Sequence, residues 1–394
     1  MNTASVVDLY KEYILPTYIQ TPLVLVKGKG ARVWDIEGNE YLDFFPGWAV
    51  SGLGHCHPKV VKALKIQASK IMHVSNNYYN ELQGQLAKRI VDSSFPGRVF
   101  FANSGAEANE CAIKLARRYG NKDKRYEIIT MTGSFHGRTM ATIAATGQDK
   151  VKIGFEPLLE GFKHVPFNDF DALKNAVTEK TVAIMLEPIQ GEGGINVADK
   201  DYLRKAKELC SSKDMLLIFD EVQTGMGRCG KLFAYQQLGM TPDVMTLAKS
   251  LGSGTPIGAT VVSERIATTL PPSSHASTFG GSPLICSAAL ATFEAIEEEG
   301  LLENAVKMGE YIKKKVEKLK KKYPIIKSVK GIALMIGVEL NIEGDEIYRE
   351  CLKNKLLINC TQKNILRIMP PLTVKKKDIN KALSVLEGVF SRVK

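Results

Sequence analysis

The chain has 394 residues, 44% of them apolar and 24% charged, with a formal net charge of +11 at pH 7. That length fits a two-domain enzyme better than one small core, and no run approaches the roughly 18 consecutive apolar residues of a membrane span, which excludes an integral membrane protein. The seven cysteines (Cys56, Cys111, Cys210, Cys229, Cys286, Cys351 and Cys360) are odd in number, scattered and never in a C-x-x-C pair, so a disulfide framework is excluded and a reducing, cytoplasmic setting is expected.

The opening MNTASVVDLYKEY has no basic stretch leading into an apolar core and does not read as a secretion signal. Before about residue 50, LVLVKGKG and RVWDIEGNEYLDF read as short strands with too little apolar mass to fold alone, so segment 1–50 is expected to pack on the C-terminal part. His55-Cys56-His57-Pro58 has neither the spacing nor the further ligands of a zinc site and reads as a turn before a helix; no metal is expected.

Between about residues 98 and 265, the apolar runs RVFFANSG, YEIITM, TVAIMLEPI, MLLIFDEV, DVMTLAKS and GATVVSE alternate with helical patterns. One such pattern is Ala106 to Arg118, whose Ala108, Cys111, Ala112, Leu115 and Ala116 share a face, and another is Lys200 to Cys210. Continuous apolar strands separated by helices predict an α/β unit with a largely parallel sheet covered on both faces, over residues 51–282. From 283 to 394 the pattern changes to long helices (LICSAALATFEAIEEEG, LLENAVKMGEYIKKKVEKL), short strands (KGIALMIGVEL, LLINC, NILRIM) and a last helix (INKALSVLEGVF), a smaller α+β domain. The basic run after Tyr311 carries Ile312, Val316 and Leu319 at helical spacing, so its lysines read as a solvated helix face rather than a nucleic-acid patch.

Ligands of open parallel sheets gather at the carboxyl ends of the strands, and four runs end in chemically loaded residues. RVFFANSGAEANE passes through Ser104, Gly105 and Ala106 into a helix, whose free N–H groups would stabilise a phosphate; an ordinary cap by Ser104 with Glu107 explains the same residues. TGSFHGRTMA sets Phe135 beside His136 and Arg138, a ring stacker and a carboxylate fork, or a core residue and a surface ion pair. MLLIFDEVQTG delivers Asp220 and Glu221 off a buried strand, where a carboxylate needs a cation, either a bound ligand or a partner such as Arg228. DVMTLAKSLGSGTPIGA ends a strand with Lys249, followed by small residues that leave room over it; desolvation would lower its pKa and free the amine as a nucleophile. Gly225-x-Gly227-x-x-Gly230 matches a dinucleotide fingerprint, but two carboxylates precede it where a pyrophosphate would sit, and no phosphate-binding Walker sequence is present.

NSGAEANE, FHGRT, EPIQGEGG, IFDEVQTGMGR, TLAKSLGSGTPIGA, STFGGSPL and LRIMPPL, in order along nearly the whole chain, resemble the class III aminotransferases of the pyridoxal 5′-phosphate fold type I superfamily. The resemblance implies the aspartate aminotransferase-like fold and pyridoxal 5′-phosphate (PLP) as cofactor. Gly105 and Ala106, beside Ser104, would hold its phosphate and Phe135 would stack on its ring. Asp220 would pair with the ring nitrogen, with Glu221 and Val222 alongside, while Gln223 would meet the phenolic oxygen. Lys249 would form the Schiff base and shuttle the proton. Thr278 would reach the neighbouring subunit's cofactor, implying a homodimer with shared sites. Arg138 would take the substrate α-carboxylate, with Ser277 nearby, and Tyr18 would gate the site. Arg367 is similar to the second arginine of the family and Glu192 to the acid that masks it. ARVWDIEGNEYLDF, LGHCHPKVV, HVSNNYYNE and GRCGKLFAYQ are most similar to the members that move the δ-amino group of N2-acetyl-L-ornithine to 2-oxoglutarate. Other donors in the family are ornithine, succinylornithine, acetyl-lysine, 4-aminobutyrate and N-succinyl-diaminopimelate precursors. Gln20 stands where relatives often have Arg, Ser282 where they commonly have Asn, and Ser250 and Ser253 in a stretch usually richer in Gly.

Overall fold

In the computed structural model, which describes residues 1–393, the alternating segments near the N-terminus form β1 (Leu25–Lys29), β2 (Arg32–Asp35) and β3 (Glu40–Asp43), an antiparallel meander. In β2, Val33 and Asp35 are buried and Arg32 and Trp34 only partly so, the two-residue period of a sheet with one covered face.

The central sheet contains β4 (Gly97–Ala102), β5 (Glu127–Met131), β6 (Phe162–Val165) and β7 (Thr181–Leu186). A small hairpin of β8 (Ile189–Gln190) and β9 (Asn196–Val197) follows, and the sheet resumes with β10 (Leu216–Asp220), β11 (Val244–Leu247) and β12 (Gly258–Ser263). Its order is β4-β12-β11-β10-β7-β5-β6. Every residue of β7, β10 and β11 is buried, which explains their unbroken apolar character. Two features depart from the sequence expectation. β12 runs antiparallel to both β11 and β4, because the link from Ala248 to Ile257 is shorter than the dozen or so residues of a parallel crossover. β6 has no apolar run, since it lies at the sheet edge with only Val165 buried.

Helices cover both faces. Gly105–Gly120 buries Ala108, Cys111, Ala112, Leu115 and Ala116, and Lys200–Ser212 buries Tyr202, Leu203, Ala206, Leu209 and Cys210. Pro283–Glu298 and Leu301–Lys322 follow, the latter burying Ile312, Val316 and Leu319 while Lys314, Lys315, Lys318, Lys321 and Lys322 are exposed. The C-terminal sheet contains β13 (Ile326–Ile332), β14 (Met335–Leu340), β16 (Asn359–Thr361) and β17 (Ile365–Ile368), in the order β13-β14-β17-β16. The single run LLINC serves two sheets: β15 (Leu356–Leu357) pairs in parallel with β3, and β16 pairs with β17. The N-terminal meander is thereby stitched to the C-terminal part. Among the described residues no helix is long and apolar enough to cross a membrane.

Candidate active site

The carboxyl ends of β5, β7, β10 and β11, with the turn after β4, surround a cavity of about 400 Å³. Asp220 closes β10 and is 4% exposed. Its Oδ2 accepts from Asn109 Nδ2 and His136 Nδ1, each at 2.8 Å, and its Oδ1 accepts from the Val222 N–H at 3.0 Å. A carboxylate offers about four acceptor positions, so one remains on a residue that lines the cavity. Asn109 is itself fixed, because Thr246 Oγ1 donates to its Oδ1 at 2.7 Å and its Nδ2 also donates to the His136 carbonyl. Bonding Asp220 through Nδ1 makes that atom the protonated ring nitrogen of His136 and leaves its buried Nε2 without a partner. The acid is surrounded by dipoles rather than by a cation. Arg228 does not supply one: its Nη1 donates to the carbonyls of Leu334 and Pro370, and burial pushes its pKa down to about 10.

Lys249 begins a short 3-10 turn directly after β11, with a left-handed φ of 44°. Ser250 donates to the Ala49 carbonyl at 2.6 Å, and the Ser253 hydroxyl accepts from the Leu53 N–H at 3.2 Å, so the turn is tied to the loop before residue 54. These are the positions where serine replaces the expected glycine, and each hydroxyl has a partner. Burial lowers the affinity of the Lys249 amine for its proton, and Glu192, Asp220 and Glu187 act in the opposite direction.

After β4, Ser104 caps the helix Gly105–Gly120 by accepting from the Glu107 N–H, while Glu107 turns back onto the Asn103 N–H and the Ser104 hydroxyl. The Ser104 cap is therefore real, although Glu107 reaches the Asn103 N–H rather than that of Ser104 itself, and it leaves the Gly105 and Ala106 N–H groups, the first of the helix, free to face the cavity they line. Gly105 packs so closely that a Cβ there would lie 2.8 Å from Val222 Cγ1.

Phe135 also lines the cavity, and the Arg138 guanidinium lies 5.5 Å from its ring centre. Arg138 is exposed, and among the described residues no carboxylate pairs with it. Glu187, at the end of β7, accepts from the Phe135 N–H at 2.9 Å and the Gly191 N–H at 3.0 Å, and burial pushes its pKa up to about 7. Glu192 accepts from Arg367 Nη1 at 2.6 Å. Arg367, on β17, is fully buried against the Phe45 and Trp48 rings, gives Nε to Asn359, and keeps Nη2 unpartnered. Gln223 also lines the cavity; its Nε2 reaches the Trp48 carbonyl at 3.5 Å and its Oε1 is unpartnered.

Ser104, Gly105, Ala106, Phe135, Arg138, Glu192, Asp220, Val222, Gln223 and Lys249 thus line one cavity. Five expected residues do not. Glu221 points the other way, accepting from the Ala234 and Tyr235 N–H groups and from Thr224, and is corrected to a structural cap. Arg367 stands behind Glu192. Ser277 is held by Asn103 Nδ2, and Thr278 and Tyr18 are exposed away from the cavity within a single chain. Sequence reasoning missed Asn109, His136 and Glu187. Glu187 directly follows an apolar run, the same signal that marked Asp220, and Asn109 is a polar residue on the buried stripe of its helix.

The Aminotransferase class-III family model matches residues 13–390. The acetylornithine aminotransferase of Methanocaldococcus jannaschii is 52% identical over 397 residues, covering 100% of both chains. Among solved structures, the ornithine aminotransferase of Toxoplasma gondii superposes with a TM-score of 0.95 at 33% identity, over 99% of this chain and 95% of that one. The acetylornithine aminotransferase of Elizabethkingia anophelis gives 0.89 at 32% identity, over 100% of both.

Proposed function

The chain belongs to the class III aminotransferases, and from that membership we propose that it transfers the δ-amino group of N2-acetyl-L-ornithine to 2-oxoglutarate, forming N-acetyl-L-glutamate 5-semialdehyde and L-glutamate. The family is PLP-dependent, and the cavity fits the cofactor on three counts. An anion seat of free N–H groups, an acid lacking a cation and a desolvated amine face one volume of about 400 Å³. That convergence carries the reading of the chemistry; full-length identity to proteins named for acetylornithine carries the reading of the donor.

Gly105 and Ala106 would hold the phosphate, Phe135 and Val222 would face the ring, Gln223 would meet the phenolic oxygen, and Asp220 would accept the ring N–H. When bound, the cofactor supplies a carbonyl carbon that carries the amino group and a protonated ring that draws electrons from the substrate. Asp220 keeps a proton at the ring nitrogen because a buried carboxylate stabilises a cation beside it. Lys249 Nζ, with its proton affinity lowered, takes a proton from the substrate carbon and returns it elsewhere. Arg138, unpaired at the mouth, binds the substrate α-carboxylate as a fork. Glu192 neutralises Arg367 while the amino donor is bound; when it yields, Arg367 offers its unpartnered Nη2 to the carboxylate of 2-oxoglutarate.

A homodimer completes this reading. Residues 71–83 and 277–284 share one surface, joined by Asn76 and Asn80 bonds to the 277–281 backbone and by His73 against Phe279. Ile71, Met72, Tyr78, Tyr79 and Phe279 are exposed on it. A second copy seated there would cover them and bring Thr278 to the neighbouring phosphate. The free thiols of all seven cysteines agree with work in the cytoplasm. The deciding experiment compares steady-state kcat/KM for N2-acetylornithine and free ornithine with 2-oxoglutarate as acceptor. Preference for the acetylated donor supports the proposal; a tenfold preference for ornithine overturns it.

A further inference from the structure

Glu187 is 5% exposed, lines the cavity, and has no cation within ion-pair distance among the described residues. A carboxyl in that setting costs free energy that packing alone does not return, which makes a functional reason the first explanation to test. Its two oxygens divide between two parts of the site. Oε1 holds the Phe135 N–H, and Oε2 holds the Gly191 N–H, at the turn that leads into Glu192. That turn has no slack on its other side, since a Cβ on Gly191 would strike the Gln223 side chain.

We propose that Glu187 is a positioning residue for transamination: it fixes the Phe135 wall and the Gly191–Glu192 turn relative to one another and sets the charge felt at Lys249 Nζ. The inference rests on the aminotransferase reading and assigns a role to a group that reading does not use. The two bonds require both oxygens as acceptors, so they are strongest when the carboxyl is ionised. The charged or titratable groups facing it are His136 and Asp220, its direct neighbours in the field, with Lys249, Arg367 and Glu192 across the cavity. Its position near pH 7 would let it change charge in the working range. A negative Glu187 favours the proton on Lys249 Nζ, so removing the charge lowers the pH at which that proton is lost.

The test uses the PLP-loaded enzyme and the variants Glu187→Gln and Glu187→Asp. Glutamine keeps one acceptor and turns an N–H2 toward one of the two backbone donors, so one bond is lost and the charge with it. Loss of a charge-assisted bond corresponds to about ten- to hundred-fold, expected in kcat. Titration of the cofactor's absorption between pH 5.5 and 9 reads the second role: in Glu187→Gln the midpoint moves to lower pH, and the limb near pH 7 leaves the kcat/KM profile. Aspartate retains the charge but is too short to reach both N–H groups, so kcat falls while the titration stays near that of the parent. Absorption and pH profiles unchanged in Glu187→Gln, with only a lowered melting temperature, would overturn the proposal; should that variant not fold, a midpoint displaced in Glu187→Asp as far as the loss of a whole charge predicts would do so. A parent protein that takes up no cofactor would instead refute the underlying aminotransferase reading.

Discussion

Replacing Gly105 with alanine tests the anion seat through a single methyl group. The backbone does not resist, because Gly105 lies at the start of a helix outside the left-handed region, and alanine is favoured over glycine in helices by up to about 1 kcal/mol. Space is the obstacle. The new Cβ would lie 2.8 Å and 3.0 Å from the two Val222 methyl carbons, while Ala248 Cβ, at 3.5 Å, is in ordinary contact. Relief comes only if Val222 is driven into the cavity or if the helix N-terminus withdraws from it, at the roughly 1–3 kcal/mol typical of overpacking. With helix propensity offsetting part of that in the free protein, the melting temperature should change little. The affinity of the apo-protein for PLP should fall about 5- to 150-fold, since 1.4 kcal/mol is tenfold. Fluorescence titration of apo-protein with PLP measures it. Val222→Ala removes both offending methyls, so the double variant should bind more tightly than Gly105→Ala alone, a coupling that only residues in contact display. Wild-type affinity in Gly105→Ala, or no recovery in the double variant, would refute the reasoning.

Lys249→Ala should abolish turnover and keep non-covalent cofactor binding; borohydride treatment followed by mass spectrometry should add the cofactor's mass to the parent chain and not to the variant. Asp220→Ala should lower kcat by several orders of magnitude at saturating PLP, measured in single turnover, because the ring loses the partner that holds its proton. Arg138→Ala should raise KM for donor and acceptor alike, and an unchanged KM would remove it from the site. Arg367→Met should raise KM for 2-oxoglutarate by tenfold or more and that for the donor much less, read from initial rates with one substrate varied at a time.

The central sheet was legible because its inner strands are covered on both faces and so lack polar interruptions. The reversed direction of β12 was recoverable from the short link after Lys249, a length argument that apolar runs do not contain. β6 was not recoverable, because an edge strand with one buried residue has no periodic signature. The division of LLINC between two sheets depends on long-range partners, β3 and β17, that no local pattern names. Within the site, Asp220 and Lys249 stood out as charges at the ends of buried strands. Arg367 entered through family resemblance, although a lone cation within the buried strand Ile365–Ile368 was a signal in its own right. Glu221 was assigned to the wrong side because adjacent strand residues point to opposite faces, and only the position of the helix Ala234–Leu238 decides which carboxylate faces the cavity.

The charges around the cavity explain why its acids are distributed as they are. Glu192 has a guanidinium at 2.6 Å, whereas Glu187 has two backbone dipoles and Asp220 has two side-chain dipoles and one from the backbone. Two unit charges 4 Å apart at an effective dielectric constant of 20 interact by about 4 kcal/mol, so each unpaired acid exerts a substantial pull on any cation brought into this space. Asp220 projects that pull toward the middle of the cavity, and the helix N-terminus at Gly105 attracts negative charge from its own side. A ligand that is cationic at one end and anionic at the other is therefore oriented before any hydrogen bond to it is counted. Because Asn109 and His136 hold Asp220 by hydrogen bonds, its orientation is fixed while its place beside a cation stays open to a ligand, a place that an ion pair with Arg228 would have filled.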